Sequence, residues 1–139
     1  MEIDRDPSRR EFQLMSNSFE DLEVWQMGKN IVIETYQIST HFPKEESFIL
    51  ASQIRRAALS VPANIAEGFG RYHYLDKAKF YLNARGSLYE LKSHLLIAQE
   101  LGYFSQSQPI TSLLITIDKL GVKLNNLISS TRKLSKASQ

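Results

Sequence analysis

The sequence offers few residues that could carry out catalysis or hold a metal ion. It contains three histidines and no cysteine, which excludes disulfides, thiol catalysis and thiolate-bound metals. Glu90 and His94 would face each other on a helix, but this spacing is typical of a surface pair. The sequence lacks HExxH and the Glu-x-x-His pairs of di-iron bundles. We therefore predict no catalytic residue, no metal site and no cofactor.

Two glycine-containing segments match functional motifs only in part. GFGR, which ends at Arg71, lacks the lysine of a phosphate-binding loop and has no strand before it. GSLYE, which begins at Gly86, falls inside a predicted helix rather than at the strand–helix turn of a nucleophile elbow. Gly86 is more typical of close helix packing.

Basic residues are the stronger chemical signal. Residues 1–50 contain ten acidic and five basic residues, whereas residues 51–139 contain five acidic and twelve basic residues. A basic segment attracts polyanions, although a solvated helical surface with both signs is an equally good interpretation. The candidates for phosphate contact are Arg55, Arg71, Lys77, Lys79, Lys92, Lys119 and Lys123.

Aromatic residues directly follow one of these candidates. Tyr72, His73 and Tyr74 come after Arg71, where they could either stack on nucleic-acid bases or pack against the end of the fold. Phosphate contacts would make the affinity fall steeply with salt. A second basic stretch lies near the end of the chain and consists of Lys119, Lys123, Arg132, Lys133 and Lys136.

The spacing of apolar residues indicates four long helices. Pro43 separates the first two, and Gly102 ends the third. Gly68 and Gly70 stand where a left-handed turn would end the second. No segment alternates with period two, so strands are not expected. The predicted helices cover residues 20–41, 46–67 and 75–101, and a fourth begins near Ser107 or Pro109.

The fourth helix has the clearest pattern, a heptad seam that must pack along its whole length against neighbouring helices. With short loops, it predicts an all-α, up-and-down antiparallel four-helix bundle over residues 19–135. Residues 1–18 are predicted to be a flexible N-terminal tail, and residues 136–139 a C-terminal tail. The seam consists of Ile110, Leu113, Ile117, Leu120, Leu124, Leu127, Thr131 and Leu134.

The second helix has an unusual composition. Pro62 removes the N–H that would bond the carbonyl of Ala58, so a kink is expected. One arc of the helix is apolar, a second is polar, and a third, around Arg55 and Pro62, is mostly small. The side chains of the polar arc either hydrogen-bond to the backbone groups that the kink leaves unpaired or line a polar site. With Arg85 of the third helix, we predict a structural polar network of Gln53, Arg56, Ser60, Asn64, Glu67 and Arg85, in which Arg56, Glu67 and Arg85 form ion pairs.

The segments QIRRAALSVPANIAEG (residues 53–68) and ARGSLYEL (residues 84–91) carry a family resemblance. Over about residues 19–130, the chain resembles the bacterial four-helix bundle family first noticed as proteins encoded by intervening sequences in 23S ribosomal RNA genes. A related branch is the accessory variability protein of diversity-generating retroelements. Similarity to that branch implies a pentameric ring with a basic surface that binds nucleic acid and partners a reverse transcriptase.

These observations favour a non-catalytic homo-oligomer, pentameric by kinship, that binds RNA or DNA through the basic candidates. The alternative is a protein–protein adaptor without nucleic-acid binding. The subunit interface is predicted on the first helix and on an exposed small face of the second. No apolar run is long enough to span a membrane, and the lack of cysteine fits the cytoplasm.

Overall fold

The structure is a computed structural model that describes residues 18–104 and 110–138. A 3₁₀ turn, Phe19–Asp21, precedes the first long helix, and a one-turn helix, Lys44–Ser47, precedes the second. No strand occurs among the described residues, and the predicted all-α class is confirmed. The long helices are α1 (Glu23–Ser39), α2 (Leu50–Phe69), α3 (Tyr74–Glu100) and α4 (Thr111–Ala137).

Contacts between α1 and α2 show that they run antiparallel. Gly28, near the start of α1, lies against Pro62 in the second half of α2. Arg55, near the start of α2, donates a hydrogen bond to Ser39 at the end of α1. A Cβ atom added to Gly28 would lie 3.5 Å from the Cβ atom of Pro62, so a small residue lets the two backbones approach closely here.

The later helices continue the same up-and-down order. Between α3 and α4, Arg85 contacts Asn125 and Lys92 contacts Asp118, so higher numbers on α3 meet lower numbers on α4. Arg56 and Ser60 of α2 meet Glu90 and Ser87 of α3 in the same reversed order. The helix α1 also packs against α4, which closes the ring of four. This confirms the predicted antiparallel four-helix bundle.

The core is formed by the apolar stripes of all four helices. Each fully buried leucine or isoleucine stabilises the fold by about 1.5–3 kcal/mol relative to an exposed one. The largest fully buried apolar side chains are Ile31, Ile54, Val61, Ile65, Leu88, Leu91, Leu95, Leu113, Ile117, Leu120 and Leu124.

The helix boundaries differ from the predictions mainly at the ends of the first two helices. The first predicted helix is divided at Leu22, which has an extended backbone. The second runs past Gly68 to Phe69, and Gly70 has φ −78°, so the left-handed turn predicted there was wrong. Gly102 does have a left-handed backbone, with φ 75°, and it follows α3 as predicted. The predicted start of the fourth helix, at Ser107 or Pro109, and the tail over residues 1–17 lie outside the described residues.

The predicted seam of α4 is buried as far as Leu124 and again at Thr131, but not at its other two positions. Leu127 is half-buried and Leu134 is 50% exposed, whereas Ile128 and Ser135 are buried in their place. A straight α-helix drifts by about 20° per heptad from a 3.5-residue repeat, which moves the buried stripe to the next residue. In addition, Lys123 pairs with Glu23 in the first turn of α1, so α4 continues beyond the part of α1 that could cover Leu134.

Gly68 permits a close contact, because an added Cβ atom there would lie 2.7 Å from the Tyr81 ring. At Gly28 and Gly121 the nearest atoms, of Pro62 and Leu88, would be 3.5 and 3.9 Å away, which is ordinary van der Waals distance. The expectation for Gly86 was wrong, because an added Cβ atom there would meet no atom within 4 Å. In the part of the chain that the structure describes, no helix is long and apolar enough to cross a membrane.

Candidate nucleic-acid interface

Three of the predicted phosphate contacts are occupied by carboxylates of the same chain. Lys92 pairs with Asp118 at 2.8 Å, and Lys123 pairs with Glu23 at 3.1 Å. Arg71 lies 3.8 Å from Glu67, one turn earlier, and stacks over the Phe80 ring. These ion pairs reduce the positive potential that each cation presents to a polyanion.

Arg55 and Lys77 are held by uncharged groups within the bundle. The Nε of Arg55 donates to Ser39 Oγ at 2.8 Å, and its guanidinium stacks over the Tyr36 ring at 5.0 Å. The Nζ of Lys77 donates to the carbonyl oxygen of Phe69 at 2.6 Å. Partial burial lowers the pKa of the Lys77 ammonium below its usual 10.5. Both residues are therefore part of the packing between helices.

The small face of α2 is covered by α1 of the same chain. Ala51 and Ala58 are fully buried, and Pro62 lies against Gly28. The expectation that this face is exposed and available to another subunit was therefore wrong. Small side chains are needed there because α1 already occupies the space.

The polar stripe of α2 faces α3, but its residues have other partners than predicted. Arg56 contacts Gln53 and forms an ion pair with Glu90 of α3, and Glu90 Oε1 also lies 3.4 Å from His94 Nε2. Since Glu67 pairs with Arg71 and Arg85 bonds to Asn125, the predicted ion network of Arg56, Glu67 and Arg85 was wrong. The register of α3 against α2 decides these partners, and the local sequence does not specify it.

Hydroxyl and amide groups connect the middle of the same stripe. Ser60 Oγ lies 2.8 Å from Ser87 Oγ on α3. The amide of Asn64 donates to both the carbonyl oxygen and the hydroxyl of Ser60, at 2.8 and 3.0 Å. The side chain of Asn64 thus bonds to Ser60 rather than to Ala58, whose carbonyl loses its usual helical partner at Pro62. The Ser60–Ser87 contact joins α2 to α3, and the Asn64 bonds lie within α2.

A cleft between α3 and α4, here called the basic cleft, has a different character. Its volume is about 420 Å³, and among the described residues four basic and no acidic side chains line it. Arg85 donates to the neutral Asn125. Within residues 18–104 and 110–138, no carboxylate forms an ion pair with Arg85, Arg132, Lys133 or Lys136. The described residues that line it are Arg85, Asn125, Ile128, Ser129, Arg132, Lys133 and Lys136.

A second cleft, the aromatic cleft, lies at the same end of the bundle. It has a volume of about 500 Å³ and is lined by the α2–α3 connection, the start of α3 and the last turns of α4. Tyr72 is 90% exposed, and its ring packs edge to face with His73 at 5.0 Å between centroids. The lining residues are Tyr72, His73, Tyr74, Leu75, Ser135 and Ser138.

A third cleft, of about 440 Å³, shows by contrast what distinguishes the basic cleft. Its arginines are Arg55 and Arg56, which are bonded to Ser39 and Glu90. Its other lining residues, such as Phe48, are mostly apolar or neutral. Among the described clefts, positive charge without an internal partner is concentrated between α3 and α4.

The described residues give no support for a metal centre. Among them, no three histidine, aspartate or glutamate side chains lie close enough together to hold a metal ion. His94 and Glu90 form a pair that also includes Arg56, and a cation in that place disfavours a metal ion.

The comparison with protein families agrees with this architecture. The family model described as 23S rRNA-intervening sequence protein matches residues 20–126, from the turn before α1 into the second half of α4. The chain belongs to this family. No curated protein matches the sequence significantly.

The family match includes Arg85 but ends before the other three cations of the basic cleft. Arg132, Lys133 and Lys136 all follow residue 126. They belong to the second basic stretch noted in the sequence, whereas Arg85 was assigned to an ion network. Their convergence could not be recognised from the sequence, because it depends on the register of α3 against α4.

Proposed function

We propose that this family member is a non-catalytic, homo-oligomeric four-helix bundle that binds RNA or DNA through basic surface residues. The observation that carries the proposal is the basic cleft, whose four cations have no acidic partner among the described residues. Lys/Arg contacts to phosphates release the counterions condensed on a nucleic acid, which favours binding. Cations that are already paired contribute less, because the phosphate must compete with a carboxylate.

The basic cleft changes which basic residues we expect to contact phosphate, compared with the seven candidates predicted from the sequence. Arg55, Arg71, Lys77, Lys92 and Lys123 have partners within the chain. Lys79 and Lys119 are exposed and have no ion-pair partner in the described part of the chain. We therefore place the main contact at Arg85, Arg132, Lys133 and Lys136 and give the seven candidates an auxiliary role at most.

Binding measured over a range of salt concentrations tests this assignment. Lys133→Ala should lower the affinity for a short RNA and reduce the slope of log K against log salt by about 0.7–0.9, as expected for one lost phosphate contact. Lys29→Ala is the matched control, because it removes one exposed lysine on α1 that is not a candidate for phosphate contact. The control should retain the wild-type slope. Equal effects of the two variants, or no binding by the wild type at low salt, would overturn the assignment.

The homo-oligomer needs an interface other than the small face of α2. Apolar side chains surround the Lys92–Asp118 ion pair, since Tyr89 and Leu96 flank Lys92 one turn away on α3. Ile115 and Val122 flank Asp118 in the same way on α4. All four are exposed, and we propose this apolar patch as the contact between subunits.

Sedimentation equilibrium tests the assembly. The proposal expects a mass several times that of the 15.9-kDa chain, five times if the ring is pentameric. Val122→Glu should shift the equilibrium toward monomer, whereas Leu59→Glu, an equally apolar-to-acidic change on exposed α2 surface, should not. A wild-type monomer at high protein concentration would contradict the proposal.

The adaptor function is the second candidate, and the same apolar patch favours it. Tyr89 and Val122 could contact a different protein instead of a second copy. A monomeric wild type that binds no nucleic acid at low salt would support the adaptor, whereas salt-sensitive binding by an oligomer supports the main proposal.

A further inference from the structure

The basic cleft and the aromatic cleft adjoin on α4. Arg132, Lys133 and Lys136 line the first, while Ser135 and Ser138 line the second. These residues occupy the last two turns of one helix and span about 9 Å along its axis. A chain that lies across the end of α4 can therefore contact both clefts at once.

The aromatic cleft presents a solvent-exposed ring on a connection that is anchored to the bundle. Tyr72 packs edge to face with His73, which leaves the ring exposed to solvent. The connection that carries it is held at both sides. Lys77 bonds to the carbonyl of Phe69 before the connection, and Arg71 stacks over Phe80 of α3 at 4.5 Å. The anchored connection loses little backbone freedom when a ligand stacks on the ring that it carries.

An exposed aromatic ring next to uncompensated cations matches unpaired nucleotides. The face of an unpaired base is free to stack on an aromatic side chain, which contributes about 1–3 kcal/mol per base and tolerates any sequence. Bases inside a duplex already stack on their neighbours, and a protein ring reaches them only at an open end. Phosphates, by contrast, are available in both forms.

We propose that the joined clefts bind single-stranded RNA or DNA, with an unpaired base stacked on Tyr72 and the adjacent phosphates in the basic cleft. The inference rests on the proposed nucleic-acid binding and adds the strandedness of the ligand and the residue that selects it. Tyr72 provides discrimination between single and double strands, and Arg132, Lys133 and Lys136 provide affinity for both.

The test compares a short unstructured oligouridylate, the matching oligothymidylate and an RNA duplex closed at both ends by ethylene-glycol linkers, so that the duplex has neither an unpaired base nor an open terminal base pair. Affinities of the full chain are measured by fluorescence anisotropy. Wild-type protein should bind the single strands more tightly than the closed duplex. Tyr72→Ala should weaken single-strand binding roughly 5- to 100-fold, as expected for one lost stacking contact, and leave duplex binding unchanged.

Two variants control for indirect effects. Tyr72→Phe keeps the ring and should retain the wild-type affinity. Phe48→Ala removes another highly exposed aromatic residue, in the α1–α2 connection, and should have no effect. Equal affinity of the wild type for single strand and closed duplex, or an unchanged affinity of Tyr72→Ala, would overturn the inference while Lys133→Ala still weakens binding. If the proposed nucleic-acid binding itself were wrong, the result would be different, because no nucleic acid would then bind at low salt.

Discussion

Lys77 Nζ lies 2.6 Å from the carbonyl oxygen of Phe69, the last residue of α2. The final carbonyls of a helix lack intrahelical partners, so a lysine from the following helix satisfies one of them and complements the helix dipole. The ammonium also lies 5.5 Å from the Phe69 ring. This bond links the two sides of the α2–α3 connection, which carries Tyr72 and His73.

Replacing Lys77 with methionine should destabilise the protein. Methionine keeps most of the apolar stem and removes the donor, so the carbonyl of Phe69 is left to solvent. We expect a loss of about 1 kcal/mol, typical of one partly exposed hydrogen bond. Urea denaturation followed by circular dichroism measures the change. Lys79→Met, at an exposed position two residues later on α3, is the control and should lie close to wild type.

The lowered pKa of Lys77 makes its contribution to stability depend on pH. Because burial lowers the folded-state pKa below 10.5, the folded protein loses this proton at a lower pH than the unfolded chain. Between the two pKa values, the unfolded chain binds more protons, so stability rises with pH. The stability of wild type relative to Lys77→Met should therefore increase as pH approaches 10.5. NMR titration of the Lys77 side chain with a midpoint at or above 10.5 would refute this.

Replacing Gly68 and Gly86 with alanine should change the stability of the protein in opposite directions. A Cβ atom at Gly68 would lie 2.7 Å from Cε1 of Tyr81, whose side chain is buried and cannot move aside freely. Gly68→Ala should cost about 1–3 kcal/mol through overpacking. At Gly86 the added atom meets nothing within 4 Å, so Gly86→Ala should stabilise α3 by about 0.5–1 kcal/mol. Thermal unfolding of both variants would reveal the difference in sign, and a stabilised Gly68→Ala would contradict the packing described.

The hydroxyl pair of Ser60 and Ser87 should be energetically coupled. Each alanine variant removes one side of the 2.8 Å contact between α2 and α3. A double-mutant cycle should give a coupling free energy of about 0.5–1.5 kcal/mol, typical of a hydrogen bond within a protein. A parallel cycle of Ser60 with Ser93, a serine elsewhere on the exposed surface of α3, should give none. Equal coupling in both cycles would show that the contact is not specific.

Alanine substitutions at Leu124 and Leu134 should cost different amounts of stability, although both leucines belong to the same heptad pattern. Leu124 is fully buried, so Leu124→Ala should cost about 2–5 kcal/mol. Leu134 is half exposed, and Leu134→Ala should cost less than about 1 kcal/mol. Chemical denaturation of the two variants measures the difference. Similar costs would mean that the last turns of α4 are covered after all.

These cases show which parts of the fold the sequence specifies. The spacing of Leu113, Ile117 and Leu120 identifies a helix and its buried face, because burial follows the 3.6-residue period. The same spacing wrongly predicts that Leu134 is buried, since burial there depends on where the neighbouring helix α1 begins. The antiparallel order follows from short connections, which leave adjacent helices no other arrangement.

The candidate site was harder to predict, because it depends on contacts between helices. The sequence identified the cations and the aromatic residues around Tyr72. It did not identify which cations were paired, since Lys92 and Asp118 are 26 positions apart and meet only through the register of α3 and α4. Arg85 shows the same limit. Its position suggested an acidic partner, whereas its observed partner is Asn125, which leaves the charge available.

The even number of antiparallel helices has a practical consequence. Ser18, before α1, and Ser138, after α4, both lie toward the end of the bundle that carries Tyr72. A purification tag or fluorescent protein fused shortly after Ser138 would therefore lie beside the surface to be assayed. Probes for binding experiments are therefore better introduced at the opposite end, in the connection between α1 and α2, for example by labelling a Glu45→Cys variant of this cysteine-free chain.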